Sequence, residues 1–217
     1  MNDQQLHLTD RFTRAVDYAR VLHIERRKGT SIPFMAHLLG VASLVMEEAG
    51  RAPFPITEDM VIAALLHDAV EDHGGAPRLE DIRRNFGDDV ARMVEGLSDS
   101  LAEDSTDKGP WEQRKAAYIE KLRHEPVDVQ LISAADKLYN GRTILDEHRT
   151  IGAEVWKRFK RGRDQQIWYF SELLSVFKSA GTNRIVDEFE RVVDELARQS
   201  ASDPQDNSAV PGKARRQ

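Results

Sequence analysis

The chain contains no cysteine, so neither a disulfide nor a thiolate metal site can form, and any metal must be held by histidines and carboxylates. The same absence fits a reducing compartment, and a cytoplasmic location is expected. Apolar runs are short. None approaches the roughly 20 residues of a membrane span, and no charged segment followed by an apolar stretch opens the chain, so neither an anchor nor a secretory leader is expected. An excess of basic residues is missing too. With 31 Lys and Arg against 37 Asp and Glu the net charge is -6, which argues against a broad nucleic-acid-binding surface and leaves room for a local basic pocket holding a small anion. Strand-like alternation of useful length and internal repeats are also lacking, so the expected fold class is all-α.

At 217 residues the chain can bury one sizeable core. A single domain is expected over residues 1–199, a bundle of about eight to ten helices. From 200 to 217 Ser, Asp, Pro, Gln, Gly and basic residues leave almost nothing to bury, which predicts a flexible tail. The most informative stretch is Met60-Val61-Ile62-Ala63-Ala64-Leu65-Leu66-His67-Asp68-Ala69-Val70-Glu71-Asp72. Its apolar run predicts a helix buried on more than one face, opened by Thr57-Glu58-Asp59 and ending near His73-Gly74-Gly75. Into this helix the sequence sets a His and an Asp. An unpaired buried carboxylate costs several kcal/mol, so the pair needs a strong partner, and a divalent metal is the simplest one.

Two other helices repeat the pattern. His37 falls among apolar residues in the first turn of a helix from about Met35 to Glu48, and Val127–Asn140, opened by Pro126, is a nearly apolar run that delivers Asp136. Spacings of four place Asn140 on the face of Asp136, Glu71 beside His67 and Asp72 beside Asp68. The first helix, carrying Phe12, Ala15, Val16 and Ala19, runs into Glu25-Arg26-Arg27-Lys28-Gly29. Basic residues before a glycine suit a helix C-terminus, which is the reading this stretch favours by itself; contact with a phosphate or a base is the other. Short helices are expected around Leu79–Phe86 and Val90–Leu97, a polar loop from Ser98 to Gly109, and a helix after Pro110. Beyond Gly152, residues such as Trp156, Phe159, Trp168 and Phe170, and later Ile185 to Leu196, read as packing helices with no part in chemistry.

The order His37, His67-Asp68, Asp136 resembles the H…HD…D signature of HD-domain metal phosphohydrolases, whose fold is all-helical. Ala63–Asp72 is similar to the AALLHD-x-x-ED segment of the RelA/SpoT-type alarmone hydrolase domain. Asn85-Phe86-Gly87, Val94-Glu95-Gly96, Ala135-Asp136-Lys137-Leu138-Tyr139-Asn140 and Arg27-Lys28-Gly29 resemble further elements of it. The likeness covers roughly residues 10 to 145, without the synthetase and regulatory domains of long members, and so looks like a stand-alone small alarmone hydrolase. It departs at a small insertion, Ser31-Ile32, at Leu38 for a Pro, at His73 for a Thr, and at Asp99 for a Lys. By the resemblance these positions would lie where the nucleotide sits, and they bear on the substrate more than on the reaction.

The resemblance implies a metal held by His37, His67, Asp68 and Asp136, with Mn²⁺ as the ion, and the mixed N/O set also suits Mg²⁺, Fe²⁺ or Zn²⁺. Glu71 and Asp72 would act as general base and general acid. Arg27 would lie against the base, Lys28 and Asn140 near the nucleotide, and Lys108, Arg114 or Lys115 near the phosphates. The implied reaction removes the 3′-pyrophosphate of (p)ppGpp, giving GDP or GTP and pyrophosphate. Three alternatives stay open at this point: the same reaction on (p)ppApp, hydrolysis of a nucleoside 5′-monophosphate, and a catalytically silent nucleotide-binding module.

Overall fold

A computed structural model describes residues 5–103, 109–201 and 203. Among them are α1 (Asp10–Leu22), α2 (Met35–Met46), α3 (Glu58–Leu66), α4 (Ala69–Asp72), α5 (Gly75–Phe86), α6 (Asp88–Leu97), α7 (Trp111–His124), α8 (Val127–Ile151), α9 (Gly162–Ala180) and α10 (Arg184–Ser200), with a 3-10 helix at Gly152–Arg158. No strand occurs among the described residues; one isolated bridge joins Arg26 and Pro33. The all-α expectation holds.

α3 is the hub. Every residue from Met60 to Leu66 is buried, and α1, α2, α6 and α8 all pack on it. Its start is fixed by Thr57, whose hydroxyl accepts from the Met60 N–H, with Glu58 and Asp59 favourably placed in the first turn. Glu58 also accepts from the Thr9 N–H at 2.6 Å, tying the start of α1 to the start of α3. The long α8 crosses this core and carries Asp136 and Asn140 near its middle, while α9 and α10 cover its far end.

Two boundaries differ from the sequence expectation. The central helix is not continuous through Asp72: it is interrupted at His67 and Asp68, where Asp68 adopts φ -91° and ψ -9°, the bridge conformation common at functional sites. No Gly or Pro marks this break, so local propensity does not reveal it. α1 stops at Leu22, capped by the His23 N–H on the Ala19 carbonyl, so Arg26, Arg27 and Lys28 lie in a loop rather than in a last helical turn. This removes the helix-capping reading of the basic cluster. At the other end, α10 runs through Ser200, and Asp203 accepts from Trp156 Nε1 at 3.0 Å and contacts His148 Nε2 at 2.9 Å. Residues 202 and 204–217, most of the expected tail, lie outside the described residues.

Gly40 of α2 shows how tightly the core positions the site. A Cβ there would lie 2.0 Å from the Tyr139 ring, and that ring packs edge-on against His37 with centroids 5.2 Å apart. Gly40→Ala is expected to destabilise the fold by about 1–3 kcal/mol through overpacking. Urea unfolding reads this directly; unchanged stability would show that Tyr139 moves aside freely.

Candidate metal centre and nucleotide cleft

His37 comes from α2, His67 and Asp68 from the break between α3 and α4, and Asp136 from α8. Their donor atoms converge. His37 Nε2 lies 3.2 Å from His67 Nε2, 3.4 Å from Asp68 Oδ2 and 3.3 Å from Asp136 Oδ1. His67 Nε2 lies 3.1 Å from Asp68 Oδ2 and 3.6 Å from Asp136 Oδ1. Ligands about 2.0–2.2 Å from a common ion stand about 2.8–3.6 Å apart, so these separations are those of side chains sharing one divalent cation. The ring orientation fits as well: His67 Nδ1–H donates to the Ala64 carbonyl at 2.8 Å, which points Nε2 at the cluster, where a cation would take the place of a proton. The residues present therefore suit a metal.

The electrostatics point the same way. Burial opposes charge on His67, yet Asp68 and Asp136 outweigh it and hold the imidazole well above its usual pKa. Burial likewise opposes ionisation of Asp68 and Asp136. The two histidines hold the first well below the usual carboxylate range, and Lys137 together with the histidines does so for the second. Two ionised carboxylates, Asp136 buried and Asp68 half-buried, call for positive charge. Asp136 is satisfied on both oxygens: Lys137 donates to Oδ2 at 2.5 Å and Asn140 Nδ2 to Oδ1 at 2.6 Å.

Asn140 links the metal centre to a cavity. Its amide oxygen accepts from Arg27 Nη2 at 2.7 Å, so Arg27, Asn140 and Asp136 form one chain of hydrogen bonds. The cavity, of about 330 Å³, is lined by Arg27, Lys28 and Asn140, with Phe34, Trp111 and Tyr169 among its aromatic walls. Arg27 lies 5.9 Å from the Phe34 ring centre and 6.0 Å from that of Tyr139. A smaller cleft beside it contains His67, Asp68, Asp136 and Glu71, and shares Lys115, Lys137 and Tyr169 with the larger cavity. Glu71 thus faces the metal centre. Asp72 is exposed on α4 and lines neither space. Lys108 lies outside the described residues.

Several cleft residues escape the sequence reading. Asp99, which stands where the resembled family has a Lys, does not simply remove a positive charge: its buried carboxylate pairs with Arg114 and, at 2.6 Å, with Lys115. Burial opposes its ionisation, and those two cations outweigh it and keep the pKa below normal. Arg114 in turn lies 3.8 Å from Glu71. Phe159 and Phe170, read from sequence as packing alone, also wall the larger cavity. Lys137, buried beside Asp136, had no signal beyond its place in the resembled segment.

Comparison with known proteins bears on this geometry. A family model described as an HD domain matches residues 15–165. The chain belongs to the HD-domain family. Among relatives of this HD-domain protein, guanosine-3′,5′-bis(diphosphate) 3′-pyrophosphohydrolase MESH1 of Homo sapiens is 35% identical over 180 residues, covering 80% of this chain and 87% of the relative. A solved structure described as a metazoan ortholog of SpoT that hydrolyses ppGpp superposes with a TM-score of 0.65 at 28% identity, covering 89% of this chain and 97% of that one. A crystal structure of lmo0812 from Listeria monocytogenes EGD-e gives a TM-score of 0.60 at 34% identity, covering 75% and 99% of the two chains.

Proposed function

We propose that this HD-domain protein is a metal-dependent hydrolase that removes the 3′-pyrophosphate of (p)ppGpp, producing GDP or GTP and pyrophosphate. The observation that carries this reading is the convergence of His37, His67 and Asp136, with Asp68 against both histidines, in a cleft that shares walls with a cavity of nucleotide-compatible lining. The activity named for the human relative and for the metazoan SpoT ortholog supports the choice of substrate. Mn²⁺ is the proposed ion, held by those four side chains. When bound, it supplies Lewis-acid stabilisation of charge on a phosphate oxygen and a more acidic water.

The remaining work falls to the protein's own groups. Glu71 takes the proton from the attacking water as its oxygen forms a bond to the phosphorus attached to O3′. The P–O3′ bond breaks, pyrophosphate departs from the ribose, and the 3′ oxygen acquires a proton, for which Asp72, exposed on α4 next to Glu71, is the proposed donor. Lys115 and Lys137, on the wall common to both spaces, offset the charge of the pyrophosphate. Phe34 and Tyr139 flank Arg27, whose guanidinium packs against the base, with Lys28 and Asn140 beside it.

Arg27→Ala is expected to raise KM on the order of tenfold, the worth of a desolvated cation on a ring, while metal content stays at the parental level. Steady-state kinetics with metal analysis separate the two effects, and an unchanged KM returns Arg27 to a loop-stabilising role through Asn140. Substrate class is tested by a panel: guanosine and adenosine nucleotides carrying a 3′-pyrophosphate, and nucleoside 5′-monophosphates, each with Mn²⁺ and with chromatographic identification of products. Turnover of the 3′-pyrophosphorylated guanosines is the expected result. Turnover confined to adenosine alarmones or to 5′-monophosphates replaces the proposed substrate, and binding without turnover makes the chain a nucleotide sensor.

A further inference from the structure

Outside the cleft, a second set of metal-ligating side chains comes together: His23, Glu25 and His73. His23 caps the end of α1, Glu25 follows in the loop toward α2, and His73 caps α4. His23 Nδ1 lies 2.8 Å from Glu25 Oε1 and 3.2 Å from His73 Nε2, and His73 Nε2 lies 3.5 Å from the same Glu25 oxygen.

Hydrogen bonds alone do not satisfy this triangle. An imidazole nitrogen either donates or accepts. If both nitrogens donate to the carboxylate, two N–H groups crowd one oxygen with their nitrogens only 3.2 Å apart; if one accepts from the other, its lone pair faces a carboxylate oxygen. A cation among the three atoms makes every contact favourable, and their separations match those of ligands sharing one ion, about 2.8–3.6 Å. The triangle His37 Nε2, His67 Nε2 and Asp68 Oδ2 in the principal centre has the same form, with sides of 3.2, 3.4 and 3.1 Å.

The site is also built rather than incidental. His23 is buried, with its ring stacked on Phe34 at 4.9 Å and nearly parallel, so the direction of Nδ1 is set by packing. Among the described residues its Nε2 has no hydrogen-bond partner, so the polar interactions of this buried ring are made at Nδ1. His73 and Glu25 are 28% and 38% exposed at their side chains, which leaves solvent free to complete a coordination shell.

We propose that His23, Glu25 and His73 bind a second divalent transition-metal ion, separate from the one held by His37, His67, Asp68 and Asp136. Two imidazoles and one carboxylate, with no thiolate, form a three-ligand set best matched by Zn²⁺ and tolerant of Fe²⁺ or Mn²⁺. Phe34 stands between the two centres, stacked on His23 and edge-on to His37 at 5.5 Å, so the ions do not form a bridged pair of the kind that sits about 3.5–4 Å apart. The ion instead clamps the loop that carries Arg27 and Lys28 to the end of α4, directly after Glu71 and Asp72. The inference does not depend on the reaction proposed above.

The test counts bound Zn²⁺ by elemental analysis after metal-free protein is loaded and passed through gel filtration. His67→Ala disables the principal centre; it is expected to retain one ion per chain, with thermal unfolding shifted upward by Zn²⁺. Adding either His73→Ala or the nearly isosteric Glu25→Gln to that variant is expected to remove both the ion and the shift, with circular dichroism checking the fold. Absence of bound Zn²⁺ in folded His67→Ala overturns the proposal, as does an ion that survives both added changes. Loss of the ion with either added change in a folded protein supports it.

Discussion

Asp136→Ala is expected to lose the metal ion and, with it, measurable turnover. Asp136 is the ligand on which three supports converge: Lys137 on one oxygen, and Asn140 and the two histidine nitrogens on the other. Removing it takes away one donor and strands Lys137, a buried ammonium whose raised pKa depends, against the effect of burial, on the Asp136 charge. An uncompensated buried charge costs about 3–5 kcal/mol, so the variant is expected to be less stable as well. His67→Ala separates the two effects because it leaves the Asp136–Lys137 pair intact and still removes a ligand. Both variants are expected to lack the principal ion when their metal is counted after dialysis, whereas the stability loss is larger for Asp136→Ala. Full occupancy of the principal centre in a folded Asp136→Ala protein would contradict the four-ligand arrangement.

Glu71→Gln is expected to lower kcat by about 10²–10⁴ while metal content and most substrate affinity persist, the usual worth of a positioned proton acceptor. Glu71 lines the same cleft as His67, Asp68 and Asp136, four residues beyond His67, as a proton acceptor that does not compete for the ion would. Glutamine keeps the shape and removes the basicity. Asp72→Asn is expected to lower kcat too, by protonating the leaving oxygen less effectively, and the double variant is expected to lose much less than the product of the single losses because both groups serve one reaction coordinate. If both single variants keep near-parental kcat at saturating Mn²⁺, the acid pair is a helix end and another group takes the proton.

The clustering of His37, His67, Asp68 and Asp136 was legible in the sequence for a physical reason. His37, His67, Asp68 and Asp136 are polar groups in runs that otherwise consist of residues destined for the core, and burial without a partner is too costly to be incidental. The helix starts were legible too, through Thr57, Pro110 and Pro126. What local pattern could not carry was the break at His67-Asp68, which lacks any Gly or Pro and is supported by hydrogen bonding and by packing from other helices. Asp99 shows the same limit. In sequence it stands as the loss of a lysine, yet Arg114 and Lys115 return two cations to its carboxylate from the next helix. The meeting of His23 with His73, 50 residues apart, is likewise a product of the fold.

The central claim is tested most directly by the fate of one substrate. Metal-loaded protein is incubated with guanosine 3′,5′-bis(diphosphate), and the products are identified by chromatography and phosphorus NMR. The expected result is GDP and pyrophosphate in equal amounts, abolished by chelation and restored by Mn²⁺. Intact substrate at full occupancy of the principal centre, or release of orthophosphate in place of pyrophosphate, would contradict it.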